Sequence, residues 1–338
     1  MTLETSFEST PVMKSESLKP FVSVVIRSFK RPAALKELVV RLREQSYPHF
    51  EVVILEQSED PDLMAHLAAL DDSRIRVIES LPQSPPAARN LAIRNARGDI
   101  ILLIDDDDLP MGTDWIAQHV QNYDDPMCMG VVGRLIGDPN NIRPPKFPRV
   151  LRLFAMRFTF FMDTVALAHN TLRKEGIDFL IGSNASVRRT LLERIGGWDE
   201  GIHMNEEQSF AIKFARQRKP GEKFVFDPTA VMWRRTDVPG GLGRREGADW
   251  HLRELEARLF YYEHVVGYYF ARRYRLTYPL FWLRGVEQVL LWIWDADNRH
   301  HSFAERIKAS FDLFLRLPRA LRFERYSPAN IRRIPRWE

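Results

Sequence analysis

Apolar, β-branched runs punctuate the first third of the chain, at 22–26 (VSVVI), 51–55 (EVVIL), 75–78 (IRVI) and 100–104 (IILLI). Each is short and nearly continuous, as in strands buried on both faces. Between the first two, Leu35, Leu38, Val39 and Leu42 fall at i, i+3, i+4 and i+7, one face of a helix. Leu63, His66, Leu67 and Leu70 predict a second, shorter helical face. A third helix is expected over 86–97, with Pro86 in its first turn and Gly98 ending it. Strands and helices alternating about every 25 residues predict βαβ units and a parallel sheet.

Beyond residue 130 the pattern is mixed. GVVGRLI (130–136) and DFLIG (178–182) predict strands, separated by a Pro-rich loop from Pro139 to Pro148. A helix is expected at 206–217, then short strands at 223–227 and 229–234. The Gly-rich stretch at 238–247 predicts a boundary, and from 249 onward the chain reads as helical. Residues 1–19 are polar and aperiodic and predict a disordered leader. The expected division is an α/β unit at 20–245, with halves at 20–135 and 136–245, and a helical C-terminal extension at 246–338.

Composition narrows the classes. The 338 residues are 45% hydrophobic and 28% charged, ordinary for a globular protein. One cysteine, Cys128, excludes an internal disulfide framework and a Cys-rich zinc site. The start has no apolar core of a signal peptide, and no run of 18 uncharged apolar residues occurs, so a cytoplasmic protein is expected. A net charge of +4 is too mild to imply nucleic-acid binding. Positive charge is nevertheless concentrated: residues 143–157 hold five Lys/Arg and no acid. Such a patch suits a solvated face, an anionic lipid surface or a phosphate-bearing substrate.

The strongest chemical signal is the run Asp105-Asp106-Asp107-Asp108, directly after an apolar strand expected in mid-sheet. Ligands of open parallel sheets bind at the carboxyl ends of the strands. Four adjacent like charges call for a cation. If the strand continues, Asp105 and Asp107 point the same way. Mg²⁺ and Mn²⁺ favour one or two carboxylates plus phosphate oxygens. The alternative is an acidic turn capping a helix near Trp115.

Four segments, FVSVVIRSFKRP (21–32), EVVILEQSED (51–60), RNLAIRNARGDIILLIDDDD (89–108) and IGGWDEGIHMNEEQSFAIKFAR (195–216), together resemble family 2 glycosyltransferases of the GT-A fold. The resemblance covers roughly residues 21–235. It implies an inverting enzyme that binds a nucleoside-diphosphate sugar and transfers the sugar to a saccharide or lipid-linked hydroxyl. It implies Mn²⁺ or Mg²⁺ at Asp105 and Asp107, the DxD positions, with Asp106 in the middle place. Glu56 falls where the family's carboxylate contacts the nucleobase, where it can accept an imide N–H of uracil or thymine. Arg89 matches the RN pair near the donor and can pair with phosphate or with the aspartates. Glu207, with Glu206 beside it, takes the position of the catalytic base. Trp198 and Asp199 match the acceptor-side loop.

The chain also departs from the family. Arg27-Ser28 replaces the usual Pro-Thr after the first strand and puts a charge near the donor pocket. The usual metal-site histidine is missing from Val231-Met232-Trp233-Arg234. His203 and His251 are substitutes by chain proximity only, and Arg234 or Arg235 can stabilise a diphosphate directly. These changes keep a different class in view, a non-catalytic GT-A module that binds sugar nucleotide or glycan. A nucleotidyltransferase lacks its Gly-rich loop here. The aromatic, basic C-terminal part suits a peripheral membrane contact, a lid on the catalytic domain or a homo-oligomer interface.

Overall fold

The computed structural model describes residues 19–140, 156–158, 164–165, 168–200 and 206–235, with isolated positions at 238, 302, 304, 307, 308 and 311. The expected leader, the Gly-rich boundary and the helical extension, along with His203 and His251, lie outside the described residues.

The predicted βαβ half is present. Strands β1 (Val22–Ser28), β2 (Phe50–Glu56), β3 (Ile75–Glu79) and β4 (Ile100–Asp105) pair in parallel in the order β3-β2-β1-β4. Helix α1 (Pro32–Arg43) buries Leu35, Leu38, Val39 and Leu42, as their spacing predicts. Together with Leu63 and Leu67 of α2 (Pro61–Ala68) these side chains pack on Val22, Val24 and Ile26 of β1. Residues on the opposite face, including Val25 and Val53, pack on Ala88, Ala92 and Ile93 of α3 (Pro85–Asn95). Helices thus cover both faces, and the order reverses at β1, where a crevice opens beyond the strand ends. His66, expected on the buried face of α2, is exposed.

Other boundaries differ from expectation for local reasons. Helix α3 stops at Asn95, so Gly98 does not cap it. A Cβ at Gly98 would overlap the Ser23 backbone nitrogen, and glycine lets the chain pass against β1. Asp178–Gly182 is not a strand. Phe179 and Leu180 are buried all the same, 3% and 1% exposed, which explains the apolar run. The strands there are β9 (Lys174–Ile177) and β10 (Asn184–Arg188), either side of the run. The two strands expected at 223–234 are one, β11 (Lys223–Arg234), with a register shift between Asp227 and Val231 at Pro228.

The second half extends the sheet beyond β4 through β10, β6 (Cys128–Ile136), β11 and β5 (Asp108–Pro110). Strand β10 runs antiparallel to both β4 and β6, and β5 runs antiparallel to β11. Asn184 locks this junction. Its amide donates to the carbonyls of Arg134 and Ala230, each at 3.0 Å, while its side-chain oxygen accepts from Trp115 Nε1.

Candidate active site

Strand β4 ends at Asp105; Asp106 and Asp107 form a turn, and Asp108 opens β5. Strand alternation therefore does not align Asp105 with Asp107, contrary to the expectation. The turn achieves a similar result. The side chains of Asp105 and Asp107 are 27% and 19% exposed, whereas those of Asp106 and Asp108 are 6% and 2%. The first and third carboxylates face the crevice, and the second and fourth are turned into the protein.

Arginines surround the run. Arg27, in register with Asp105 across the β1–β4 ladder, donates to it at 2.7 Å. Arg31 reaches Asp106 at 2.8 Å and Asp107 at 2.9 Å. Arg234, in register with Asp108, lies 3.7 Å from its carboxylate, and Arg235 donates to the Asp107 carbonyl at 3.0 Å. Burial pushes the Asp105 carboxyl up, but Arg27 and Arg89 outweigh it and hold it below its usual value. The other three are raised: Asp106 to about 6 by burial against the pull of Arg31, Asp107 by burial and the charge of Asp105. Asp108 is raised well above the ordinary range by burial, with Arg234 opposing and Asp105 and Asp107 adding repulsion. Burial is thus the main cause of the raised values, and the guanidinium groups offset it only in part.

Among the described residues no three His, Cys, Asp or Glu side chains converge as a metal cage. The two crevice-facing carboxylates nevertheless fit a hard divalent ion that takes its remaining ligands from phosphate and water.

A second carboxylate pair lies across the crevice, at the start of the helix Glu206–Gln217. Arg89, 2% exposed, lies 3.4 Å from Glu206 and 3.9 Å from Glu207, and its guanidinium sits over the Trp198 ring at 5.1 Å. Burial and the neighbouring Glu207 push the Glu206 carboxyl up to about 7, against Arg89 and Arg27. Arg27 feels Asp105, Glu206 and Glu207 together, and Asp105 feels Arg89, so the two carboxylate groups share one electrostatic environment. Arg89 faces the glutamates in this arrangement.

Two expected acceptor residues are structural instead. Trp198 is 1% exposed, stacked on Phe210 with ring centroids 4.4 Å apart, and offers no face to a sugar. Asp199 is 5% exposed and accepts from Lys213 at 2.8 Å and from the Ser209 hydroxyl. Asn90 explains the loop geometry: its amide oxygen accepts from the Trp198 N–H, and its nitrogen donates to the Trp198 carbonyl. The arginine of the Arg-Asn pair therefore holds the glutamates while the asparagine pins the loop beneath them. The sequence marks Arg31 only as a basic residue after a strand, and Asn90 only as the second member of the Arg-Asn pair, with no role of its own.

Glu56 ends β2 and is 2% exposed. Its Oε1 accepts from the backbone N–H groups of Gln57 and Ser58, at 3.1 and 2.7 Å.

Comparison with known proteins decides the family. The model of Glycosyl transferase family 2 matches residues 23–196, just over half of the chain. The chain belongs to that family. Among curated relatives, the O-antigen chain rhamnosyltransferase RfbN of Salmonella typhimurium is 21% identical over 214 residues, 62% of this chain and 65% of that protein. The chain thus spans less than two-thirds of that relative's length, and less still of others it matches. A mannosyltransferase from Pyrobaculum calidifontis, solved with GDP-Man and Mn²⁺, superposes with a TM-score of 0.54 at 21% identity, covering 89% of this chain and 81% of that one. GalNAc-T7, solved with UDP, GalNAc and Mn²⁺, gives 0.52 at 15% identity, over 75% and 51%. The fold is the expected GT-A fold, and the family is the one that the sequence resembles. Among the described residues no helix is long and apolar enough to cross a membrane.

Proposed function

We propose that this glycosyltransferase transfers a sugar from a nucleoside-diphosphate donor to a saccharide or lipid-linked hydroxyl, in one inverting displacement that depends on a divalent metal. The alternating exposure along Asp105–Asp108 carries this reading, because it leaves the first and third carboxylates open to solvent at the end of a central strand. Asp105 and Asp107 would hold Mn²⁺ or Mg²⁺, which neutralises charge on the departing diphosphate. The relatives solved with nucleotide and Mn²⁺ support the same choice.

Glu207, 25% exposed at its side chain, is the proposed base. Its carboxylate takes the proton of the acceptor hydroxyl as the oxygen bonds to the anomeric carbon. The bond from that carbon to the diphosphate oxygen breaks, and its electron pair leaves with the nucleoside diphosphate. Arg89 and the buried Glu206 fix Glu207 from behind. Arg27 and Arg234, on the rim, are positioned to meet the diphosphate. The O-antigen relative supports a growing surface polysaccharide as acceptor. Such an acceptor would be met at the inner face of a membrane.

Thermal denaturation with UDP, dTDP, GDP and CDP, each with and without Mn²⁺, tests the donor site. A ligand bound only by the native state raises the melting temperature. A rise with one nucleotide that needs the metal is expected. No rise with any of them removes the donor site and leaves the non-catalytic reading.

A further inference from the structure

Four residues, Ile181 to Asn184, lie between the two carboxylate groups. They turn into β10, with the Asn184 N–H donating to the Ile181 carbonyl at 3.4 Å. Successive residues meet different walls. Ile181 packs against the core on both faces of the sheet. Gly182 lies against Arg89 and Glu207 with no room for a Cβ. Ser183, 2% exposed, faces the aspartate run instead. Its hydroxyl accepts from Arg234 Nη2 and donates to the Asp108 carboxylate.

A buried serine that only satisfied a buried aspartate would be unremarkable, since buried polar groups need partners. The position of Arg234 says more. Its side chain is 44% exposed, a long cation ending in water, and its charge acts on both Asp105 and Asp107. The guanidinium lies 3.7 Å from Asp108 Oδ2, beyond hydrogen-bond reach, and that oxygen is buried with no hydrogen-bond partner. Arg234 is therefore not docked on the carboxylate beside it. Among the described residues its hydrogen bond goes to the Ser183 hydroxyl.

The choice of partner has a chemical consequence. A carboxylate clamped on the guanidinium would fix it but also neutralise it, and an arriving phosphate would have to break that pair. A hydroxyl fixes it through one of its five N–H donors and adds no charge. The other donors can then meet oxyanions in the forked geometry that suits phosphate. Ordering a long side chain only at the moment of binding lowers affinity, and a side chain held beforehand avoids that loss. Resting on the proposed donor site, we infer that Ser183 is a positioning residue that holds Arg234 at the crevice to receive the diphosphate of the donor. The same short turn, through Gly182, leaves Glu207 its place on the other side.

Calorimetric titration of the full chain with inorganic pyrophosphate in Mg²⁺ buffer tests this, in the wild type, Ser183→Ala, Arg234→Ala and the double variant. Ser183→Ala is expected to weaken binding about 5-fold, and Arg234→Ala about 10-fold or more. On the Arg234→Ala background, Ser183→Ala should add less than about 2-fold, because the serine acts through the arginine. General damage to the site would add equally on both backgrounds. Wild-type affinity in Ser183→Ala, or a fully additive double variant, overturns the inference. Should Ser183→Ala not fold, ¹⁵N relaxation of arginine side chains in the wild type decides. Arg234 should be more ordered than Arg41, a comparably exposed arginine of α1, and equal mobility overturns the inference. Unchanged binding in Arg234→Ala overturns it too, and leaves the glycosyl-transfer reading standing. No pyrophosphate binding by the wild type overturns the inference and the donor site together.

Discussion

Glu206 offers a test of the site's electrostatics that needs no substrate. Its carboxylate is 10% exposed, at the first turn of its helix and 3.4 Å from Arg89. Burial, then Glu207, raise its pKa from the ordinary 4.5 to about 7, with Arg89 and Arg27 pulling back. A rise of that size is worth about 3 kcal/mol, at 1.36 kcal/mol per pK unit. The sign follows from where the proton sits. Below pH 4.5 the group is protonated in both folded and unfolded chains, and nothing is lost. Between 4.5 and 7 the unfolded chain ionises first, so stability falls as pH rises. Above 7 both forms are ionised, and the folded state carries the full penalty. Glu206→Gln replaces the acid by an isostere that never ionises. Urea unfolding of both proteins at pH 4.5 and 8.5 then gives a double difference. Titrating groups that do not feel Glu206 cancel in it, as does any pH-independent cost of leaving Arg89 with Glu207 and the Trp198 face alone; the coupling of Glu207 to Glu206 is part of the difference. The variant is expected to gain about 3 kcal/mol on the wild type between the two pH values. A double difference under about 1 kcal/mol would refute the claim that this carboxylate is buried against its charge.

Three further outcomes follow from the same geometry. In Gly182→Ala the new Cβ would run into Arg89 Nη2 and lie 2.8 Å from Glu207 Oε1. Overpacking of this kind costs about 1–3 kcal/mol, and a displaced base is expected to lower kcat by about 10- to 100-fold in a sample whose circular dichroism is unchanged. Wild-type kcat would show that the base does not depend on this contact. Trp198→Ala should destabilise by about 3–5 kcal/mol in chemical denaturation. The milder Trp198→Phe should leave the acceptor KM unchanged, and a large rise in that KM would return Trp198 to the acceptor site. Arg89→Met should push the Glu206 carboxyl further up, read as a carboxylate titration by NMR, because Glu206 loses its nearest cation; an unmoved titration would leave Arg89 a purely structural residue.

The sheet half up to Asp105 was legible in the sequence because β1, β2 and β4 are buried on both faces and α1 carries a clean 3.6-residue stripe. Leu35, Leu38, Val39 and Leu42 illustrate the second point, all buried as their spacing demands. The errors fall where burial and secondary structure part company. Phe179 and Leu180 are core residues on a connecting segment, and a short apolar run cannot distinguish that from a strand. The site was readable as residue types and order, but not as roles. Asp105 and Asp107 share exposure through a turn that no periodicity encodes. Trp198 and Asp199 went to the core because Asn90, 108 positions from Trp198, and Phe210 and Lys213 on the following helix hold them there. The arginine pairs were equally hidden: Arg31 meets the aspartates from 75 positions away in the chain.

The central claim is that this crevice breaks a sugar–diphosphate bond using Asp107 and Glu207. Release of nucleoside diphosphate from a panel of sugar nucleotides, with Mn²⁺ and a saccharide acceptor mixture, measures it most directly. The wild type should release diphosphate from one donor. Asp107→Asn and Glu207→Gln, folded by circular dichroism, should each fall by about 100-fold or more, the scale on which single acid–base and charge-stabilising groups act. Near-normal release by either variant, or none from any donor by the folded wild type, would contradict it.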